Sequence, residues 1–276
     1  MLKKILLTLD GSENAEKALP WVKQFAVCEK ALVTLIRIVP PTPDRAFAAR
    51  EREEAREYLL RMERELNFAG ISTKVLVRRG SPAREIVDAA VDQGCDLIVM
   101  TTRGGSRVKR WVMGGVTEQV MRLSPVPVLP VWSHLARPRQ GHVRRLIVPL
   151  DGSKRAESIL WWAIRLAQIL HAQLVFLHVY PNGSEHPRGW NGQVYEALSR
   201  RMNRIAESLC KQGIPAKFRL QRGDAAERIL NYADRNDLIL TTTHGYGGMK
   251  RWILGSVAEK LVHAASVPVL VYKTTA

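Results

Sequence analysis

The chain has 276 residues, of which 46% are hydrophobic and 25% are charged, and this length suits two globular domains. It contains no apolar run near the ~18 residues of a membrane-spanning helix and no separate apolar core of a signal peptide, so membrane and secreted classes are excluded and a cytoplasmic location is expected. The net charge of +16, with an isoelectric point near 10.2, is spread over both halves and is typical of polyanion-binding proteins.

The cysteines and histidines show no ligand spacing. The three cysteines, Cys28, Cys95 and Cys210, form no CxxC pair. We therefore expect neither a disulfide framework nor a zinc cage, and we predict that the cysteines are buried free thiols. No metal site built by the protein itself is predicted.

An internal repeat organises the chain. Three pairs of segments match in the same order: Lys3–Ser12 with Arg144–Ser153, Asp96–Thr102 with Asp237–Thr243, and Val126–Leu129 with Val267–Leu270. We therefore predict one domain present twice, as residues 1–132 and 143–276. A polar stretch with proline and glycine, residues 133–142, is predicted to be the linker.

Each copy alternates short apolar runs with amphipathic helical patterns. The predicted strands, in chain order, are Ile5–Leu9, Ala31–Val39, Thr73–Val77, Leu97–Thr101 and Val126–Val131, then Leu146–Leu150, Gln173–Tyr180, Ala216–Leu220, Leu238–Thr242 and Val267–Tyr272. The predicted helices begin after Ser12 and Ser153, cover Ala46–Leu66, Val194–Cys210, Ala83–Val91 and Ala225–Asp234, and precede each fifth strand. Apolar runs separated by helices favour parallel sheets covered on both faces. The predicted fold class is α/β, with two tandem, doubly wound, five-stranded parallel sheets.

The loop after each fourth strand is the candidate ligand site, because ligands bind at the carboxyl ends of strands in such sheets. In the second copy this loop runs from Thr242 through Gly245 to Gly255 and Ser256, where a helix is expected to begin. Glycine before a helix N-terminus lets backbone N–H groups bind phosphate, and a serine hydroxyl adds a donor. The loop matches neither the Walker A pattern nor GxGxxG, so the spacing alone is equally compatible with turns and caps.

These motifs together resemble the universal stress protein family over nearly the full length of both copies. They are a strand followed by Asp-Gly-Ser, Arg-Gly before a short helix, Asp-Leu-Ile before the loop, and a closing Val-Pro-Val-Leu strand. ATP-binding members of that family carry G-2x-G-9x-G-[ST] in the loop. The resemblance implies ATP as the ligand, accompanied by Mg²⁺ or Mn²⁺ bound mainly through the phosphates. The resemblance implies nucleotide contacts from Asp151, Val179, Gly245, Gly255, Ser256 and Val257 in the second copy, and the matching positions of the first are Asp10, Ile38, Gly104, Gly114 and Gly115. Thr242, at the first motif position, and His244, within the loop, are further candidates for phosphate contact, although a lone loop histidine is more often a solvated turn residue.

Both loops depart from the family pattern. Thr101 and Thr242 stand where the ATP-binding members have the first glycine, and Gly115 replaces the terminal hydroxyl residue in the first copy. We therefore expect nucleotide binding mainly in the second copy. For Asp10 and Asp151, an Asx turn or a helix cap is an interpretation at least as good as ligand contact.

No arrangement typical of catalysis is present. The sequence has no GxSxG motif, no Cys–His signature and no acidic pair shared by the two copies. We therefore expect a stress-responsive regulator that binds ATP without being an enzyme, although slow ATP hydrolysis is compatible with the sequence.

Two further kinds of partner are expected. The closing strands are predicted sheet edges at which family members pair, which implies pairing within the chain about a pseudo-twofold axis, or a homodimer; Pro130 would shorten this pairing. The basic charge supports an alternative function, a polyanion-binding stress factor with degenerate nucleotide loops that docks on RNA, DNA or the ribosome. An affinity that falls steeply with salt would be its signature.

Overall fold

The computed structural model describes residues 2–102, 114–132, 142–181, 192–243 and 254–273. The chain divides into two compact units, Met1–Arg137 and Pro138–Ala276. Most of the predicted linker, and the predicted site residues Gly104, His244 and Gly245, lie outside the described residues.

The first unit is a five-stranded parallel sheet with helices between its strands. Its elements are β1 (Lys4–Thr8), α1 (Glu13–Glu16), α2 (Leu19–Glu29), β2 (Leu32–Val39), α3 (Arg45–Phe68), β3 (Thr73–Arg79), α4 (Pro82–Asp92), β4 (Leu97–Thr101), α5 (Gly115–Leu123) and β5 (Val128–Val131). The strand order is β3-β2-β1-β4-β5. In register, Leu6 lies opposite Thr34 on one side and Ile98 on the other.

The second unit has the same architecture. Its elements are β6 (Arg145–Pro149), α6 (Lys154–Glu157), α7 (Leu160–Leu170), β7 (Gln173–Tyr180), α8 (Gly192–Lys211), β8 (Ala216–Arg222), α9 (Ala225–Tyr232), β9 (Asp237–Thr242), α10 (Ser256–Ala264) and β10 (Val269–Tyr272). The strand order is β10-β9-β6-β7-β8. The predicted fold, two tandem α/β domains with five-stranded parallel sheets, is confirmed. The predicted pairing of the closing strands stays a prediction.

The core explains why the central strands are apolar without interruption. In β1 and β6, Ile5, Leu6 and Leu7, like Leu146 and Ile147, are fully buried because helices cover the sheet on both faces. Burial weakens toward the carboxyl ends: Ile38, Val179 and Thr242 are only half-buried. Side chains that can meet a ligand are therefore concentrated at this edge of each sheet.

Some predicted boundaries differ from the structure. The helical pattern after Ser12 is two helices, α1 and α2, and Pro20 in the first turn of α2 cannot continue a preceding helix. The closing strand begins at Val128 rather than Val126, since Pro127 has no N–H for the strand ladder. None of the described helices is both long and apolar enough to cross a membrane.

The prediction that all three cysteines are buried was wrong for two of them. Cys95 is buried, whereas Cys28 and Cys210 are exposed, and all three are free thiols. Cys28 lies at the end of α2 and Cys210 at the end of α8, where the helix surface meets solvent. Burial, followed by the nearby carboxylate of Asp96, raises the pKa of Cys95 to about 11, so this thiol stays protonated at neutral pH.

A buried ion pair fixes the start of the central strand in the second unit. Arg145 Nε and Nη2 donate to the two carboxylate oxygens of Asp237 at 2.8 and 2.5 Å, and the side chain of Asp237 is only 2% exposed. This bidentate contact raises the pKa of Arg145. In the first unit Lys4 occupies the equivalent position, and Asp96 accepts backbone N–H groups of Lys3 and Lys4 instead.

Replacing Arg145 should destabilise the second unit strongly. The Arg145→Met variant leaves the buried Asp237 carboxylate without its cation, and we expect a loss of about 3 kcal/mol in the free energy of unfolding. Urea unfolding followed by circular dichroism measures this. The matched control is Lys4→Met, which should cost less because Asp96 is less buried and accepts two backbone N–H groups, whereas the buried Asp237 accepts one, from Asp234. Equal losses in the two variants would contradict the prediction.

Candidate functional site

The turn after the first strand of each unit is the first component of the site. Asp10 Oδ1 accepts hydrogen bonds from the Ser12 N–H at 2.9 Å and the Ser12 hydroxyl at 2.6 Å. Asp151 Oδ1 accepts the same two bonds from Ser153, again at 2.9 and 2.6 Å. Each serine hydroxyl also caps the short helix that follows. The interpretation of both aspartates as Asx turns is therefore confirmed, and their contact with a ligand stays a prediction.

The second component is the carboxyl end of the neighbouring strand. The Leu9 N–H donates to the Ile36 carbonyl and the Leu150 N–H donates to the Leu177 carbonyl, both at 2.9 Å. These bonds hold the turn against the end of β2 or β7. Ile38 and Val179, the two aliphatic residues predicted to contact the base or the ribose, follow within two residues of these carbonyls. The predicted order of contacts along the sheet edge is thus geometrically coherent.

The third component is the start of the helix before the closing strand. The Gly255 N–H donates to the Thr243 carbonyl at 2.7 Å, and the Gly114 N–H donates to the Thr102 carbonyl at 2.8 Å. These bonds place the first turns of α10 and α5 at the ends of β9 and β4. A side chain at position 114 would bring its Cβ to 3.0 Å from the Thr102 carbonyl oxygen, a tight contact with backbone that favours glycine there.

The residues after these glycines differ between the units. Ser256 is exposed at the first position of α10, followed by the half-buried Val257, whereas Gly115 is exposed at the first position of α5. The first N–H groups of a helix have no partner within the helix, and they carry its positive dipole end. Both units therefore present an anion-binding backbone, and only the second adds a hydroxyl.

Three side chains that the sequence analysis overlooked line the first unit's site. The guanidinium of Arg37, near the end of β2, lies 3.0–3.1 Å from where a Cβ on Gly11 would be. It also lies over the ring of Tyr58, 5.3 Å from the centroid. Burial, followed by the negative charge of Glu16, raises the pKa of Tyr58 and keeps this phenol neutral. A cation therefore covers the turn at the end of β1.

The second unit has a different set of residues in the same place. His178 occupies the β7 position that corresponds to Arg37, is 4% exposed, and donates from Nδ1 to the Leu150 carbonyl at 2.6 Å. Its ring lies 5.8 Å from that of Tyr195, which lies 5.0 Å from that of Tyr180. Burial lowers the pKa of His178, against the opposing effects of the Leu150 bond and Asp151, so the imidazole is neutral at neutral pH.

In the second unit the positive charge near this turn lies on helix α8, whereas in the first unit it lies on strand β2. Arg201 on α8 forms an ion pair with Glu157. By the repeat, these two residues correspond to Tyr58 and Glu16. Aligning the two copies residue by residue would have exposed this exchange, because Arg37 and His178 stand at matching positions of matching strands.

The described residues show no metal-ligand cluster. Within them, no three His, Cys, Asp or Glu side chains are close enough to hold a metal ion. The chemistry that the described part of the site offers is therefore hydrogen bonding to an anion, aliphatic contact and aromatic contact.

Comparison with known proteins establishes the family. A family model of the universal stress protein family matches residues 1–131 and again residues 142–273. The chain belongs to the universal stress protein family. The resemblance and the tandem organisation inferred from the sequence are thereby confirmed, and membership places the chain among stress-response proteins.

Relatives cover either the whole chain or one copy of the repeat. A universal stress protein of Mycolicibacterium smegmatis is 24% identical over 290 residues, which is 98% of this chain and 96% of that protein. Universal stress protein MJ0577 of Methanocaldococcus jannaschii is 31% identical over 157 residues, which is 48% of this chain and 95% of that protein. The crystal structure of a universal stress protein from Archaeoglobus fulgidus has a TM-score of 0.79 at 24% identity and covers 99% of both chains. That similarity shows the fold.

The buried imidazole should make the stability of this universal stress protein depend on pH. Because the folded-state pKa of His178 is lowered, its contribution is complete above the unfolded value of about 6.5 and declines as the pH falls below it. We expect the wild type to lose stability relative to His178→Gln between about pH 7.5 and 5.5. Urea midpoints across this range measure the difference, with exposed His142→Gln as the control. Parallel curves for the wild type and His178→Gln would refute the prediction.

Proposed function

We propose that this universal stress protein is a non-enzymatic, cytoplasmic stress regulator that binds ATP, mainly in its second unit. The observation that carries the proposal is the position of Gly255 and Ser256 at the start of α10, hydrogen-bonded to the end of β9. This arrangement presents helix N–H groups and a hydroxyl where the phosphates of a nucleotide would lie.

The rest of the site supports a nucleoside next to those phosphates. The turn at Asp151 and the aliphatic side chain of Val179 lie at the ends of β6 and β7, as the family motif implies. Tyr180 and Tyr195 add aromatic surface at the end of β7, and aromatic rings stack favourably on flat heterocycles. The predicted roles of Thr242, His244, Gly245 and Val257 belong to this same proposal, with Mg²⁺ or Mn²⁺ carried by the phosphate oxygens.

The second unit is favoured over the first for two physical reasons. Its helix α10 begins with a hydroxyl residue where α5 begins with Gly115. The neutral ring of His178 lies beside the turn at the end of β6, whereas the guanidinium of Arg37 lies against Gly11 in the first unit. The space in which a ribose would approach the first turn is therefore already filled by a side chain.

Removing the hydroxyl should weaken ATP binding. In Ser256→Ala, a hydrogen bond to a charged phosphate is lost, and at about 1.5 kcal/mol this gives roughly a tenfold rise in Kd. Isothermal titration calorimetry with Mg-ATP measures it, and AMP and GTP test selectivity. The thermal midpoint should rise with ATP in the wild type and rise less in the variant. A wild type that ATP neither binds nor stabilises would refute the proposal.

The first unit offers the converse experiment. Among the described residues, no atom lies within 4 Å of a Cβ placed on Gly115, so they leave room for a serine there. We expect Gly115→Ser to increase ATP affinity or stoichiometry by giving α5 the hydroxyl that α10 has. Gly115→Ala is the matched control, since it adds the carbon without the oxygen. Equal binding by the serine and alanine variants would show that the hydroxyl is not the difference between the units.

A second candidate function is docking on a polyanion such as RNA, DNA or the ribosome. The observation that favours it is the net charge of +16, which attracts polyanions. The two functions are compatible, because nucleotide occupancy of one site can gate docking elsewhere.

A further inference from the structure

In the first unit, the cation Arg78 of the outer strand β3 is paired with acidic residues of α4. Arg78 Nη2 contacts the carboxylate of Asp92 at 2.6 Å, and its other nitrogen lies 3.8 Å from that of Glu85. Lys74 Nζ donates to the side-chain carbonyl of Gln93 at 2.8 Å. Strand β3 and helix α4 thus form a mixed, internally paired surface.

The equivalent surface of the second unit has reversed charges. By the repeat, Arg228 on α9 and Arg235, three residues beyond the end of α9, replace Glu85 and Asp92, and Arg219 on β8 replaces an apolar residue, Leu76. The correspondence is structural as well. A Cβ on Gly80 would meet Glu85 Oε1 at 2.7 Å, and a Cβ on Gly223 would meet Arg228 Nε at 2.6 Å.

The basic side chains of this surface are accessible. Arg219, Arg228 and Arg235 are exposed, and Lys217, the counterpart of Lys74, is half-buried beside them. Among the described residues, none of these four belongs to an ion pair. We define Lys217, Arg219, Arg228 and Arg235 as the basic strip.

Three acidic residues lie on or next to α9: Glu227 is exposed and belongs to no ion pair among the described residues, and Asp224 and Asp234 have partners other than the side chains of the strip. Asp224 accepts the Glu227 N–H as the N-cap of α9 and lies 3.7 Å from Lys260. Asp234 Oδ1 accepts the backbone N–H of Arg235 at 2.7 Å. The basic strip consequently retains its charge toward solvent.

We propose that the basic strip is a binding surface for the phosphate backbone of a nucleic acid. Three of its four side chains are arginines, whose planar guanidinium groups match phosphate in two-point hydrogen bonds. A duplex carries one phosphate charge per ~1.7 Å of its axis, so several cations on one surface can each meet a phosphate. Leu220, the exposed apolar residue next to Arg219 on β8, alternates to the opposite face of the strand, so an acidic protein that needs an apolar anchor beside the cations is a poorer match.

This inference rests on the second candidate function and assigns it a location. The test variant carries first-unit residues at three positions: Arg219→Leu, Arg228→Glu and Arg235→Asp. Its matched control removes the same formal charge from exposed arginines of α3 by Arg50→Glu, Arg52→Glu and Arg56→Gln. Binding of the full chain to a duplex RNA and a duplex DNA of equal length is followed by fluorescence anisotropy from ~50 to ~200 mM salt.

We expect the test variant to bind at least tenfold more weakly than the wild type, with a salt slope smaller by about two to three. The control should stay close to the wild type. If neither nucleic acid binds the wild type, both the strip and the second candidate function are overturned. If the test and control variants weaken binding equally, the function stands and the strip is wrong.

A second pair of measurements guards against a variant that fails to fold. Circular dichroism and the thermal midpoint establish folding, and the milder Arg219→Gln with Arg228→Gln should still weaken binding about threefold or more. Unchanged affinity together with new self-association of the test variant would overturn the proposal, because the charges would then serve only to keep an outer strand from pairing with another chain.

Discussion

The burial of both faces of each parallel sheet is the constraint on which the rest of this structure depends. Residues such as Leu6, Leu146 and Ile239 are fully buried, so the middle of each sheet has no room for polar chemistry. Groups that can face a ligand are concentrated at the carboxyl ends of the strands and on the outer surfaces. The Asx turns, the starts of α5 and α10, and the basic strip all lie in those two places.

Duplication gives two copies of this frame in which the same backbone carries different side chains. The turn hydrogen bonds agree within the precision of the distances, 2.9 and 2.6 Å in both units, whereas the residue beside the turn is Arg37 in one and His178 in the other. The two copies therefore share the same backbone hydrogen bonds at the turn and differ in the charge of the side chain beside it. The guanidinium of Arg37 covers the turn in the first unit, whereas the neutral ring of His178 lies beside it in the second.

The fold could be predicted from the sequence because apolar runs such as Leu97–Thr101 and the repeated Asp-Gly-Ser are local signals that tertiary contacts reinforce. The Asx turns were anticipated as an alternative for the same reason, since Asp and Ser two residues apart bond locally. The replacement of Tyr58 in α3 by Arg201 in α8 was not anticipated. It has a consequence only because these residues pack near the ends of β2 and β7, and that packing is a tertiary contact that local sequence patterns do not show. The exposure of Cys28 and Cys210 was missed because helix ends reach solvent irrespective of residue type.

Relative to the first unit, the second unit loses a positive charge at the end of β7 and gains positive charges on β8 and α9. At the end of β7, His178 replaces a guanidinium with a neutral ring, and the lost cation reappears as Arg201, bound by Glu157. On β8 and α9, Arg219 and Arg228 introduce cations that no described acid neutralises. At physiological ionic strength the electrostatic potential of an exposed charge is screened over about 8 Å. Exposed charges of the strip therefore act mainly on groups within that distance. Removing the strip should therefore leave nucleotide affinity nearly unchanged and make the salt dependence of nucleic-acid affinity smaller. The same surface charge would thus serve docking without competing for the nucleotide phosphates.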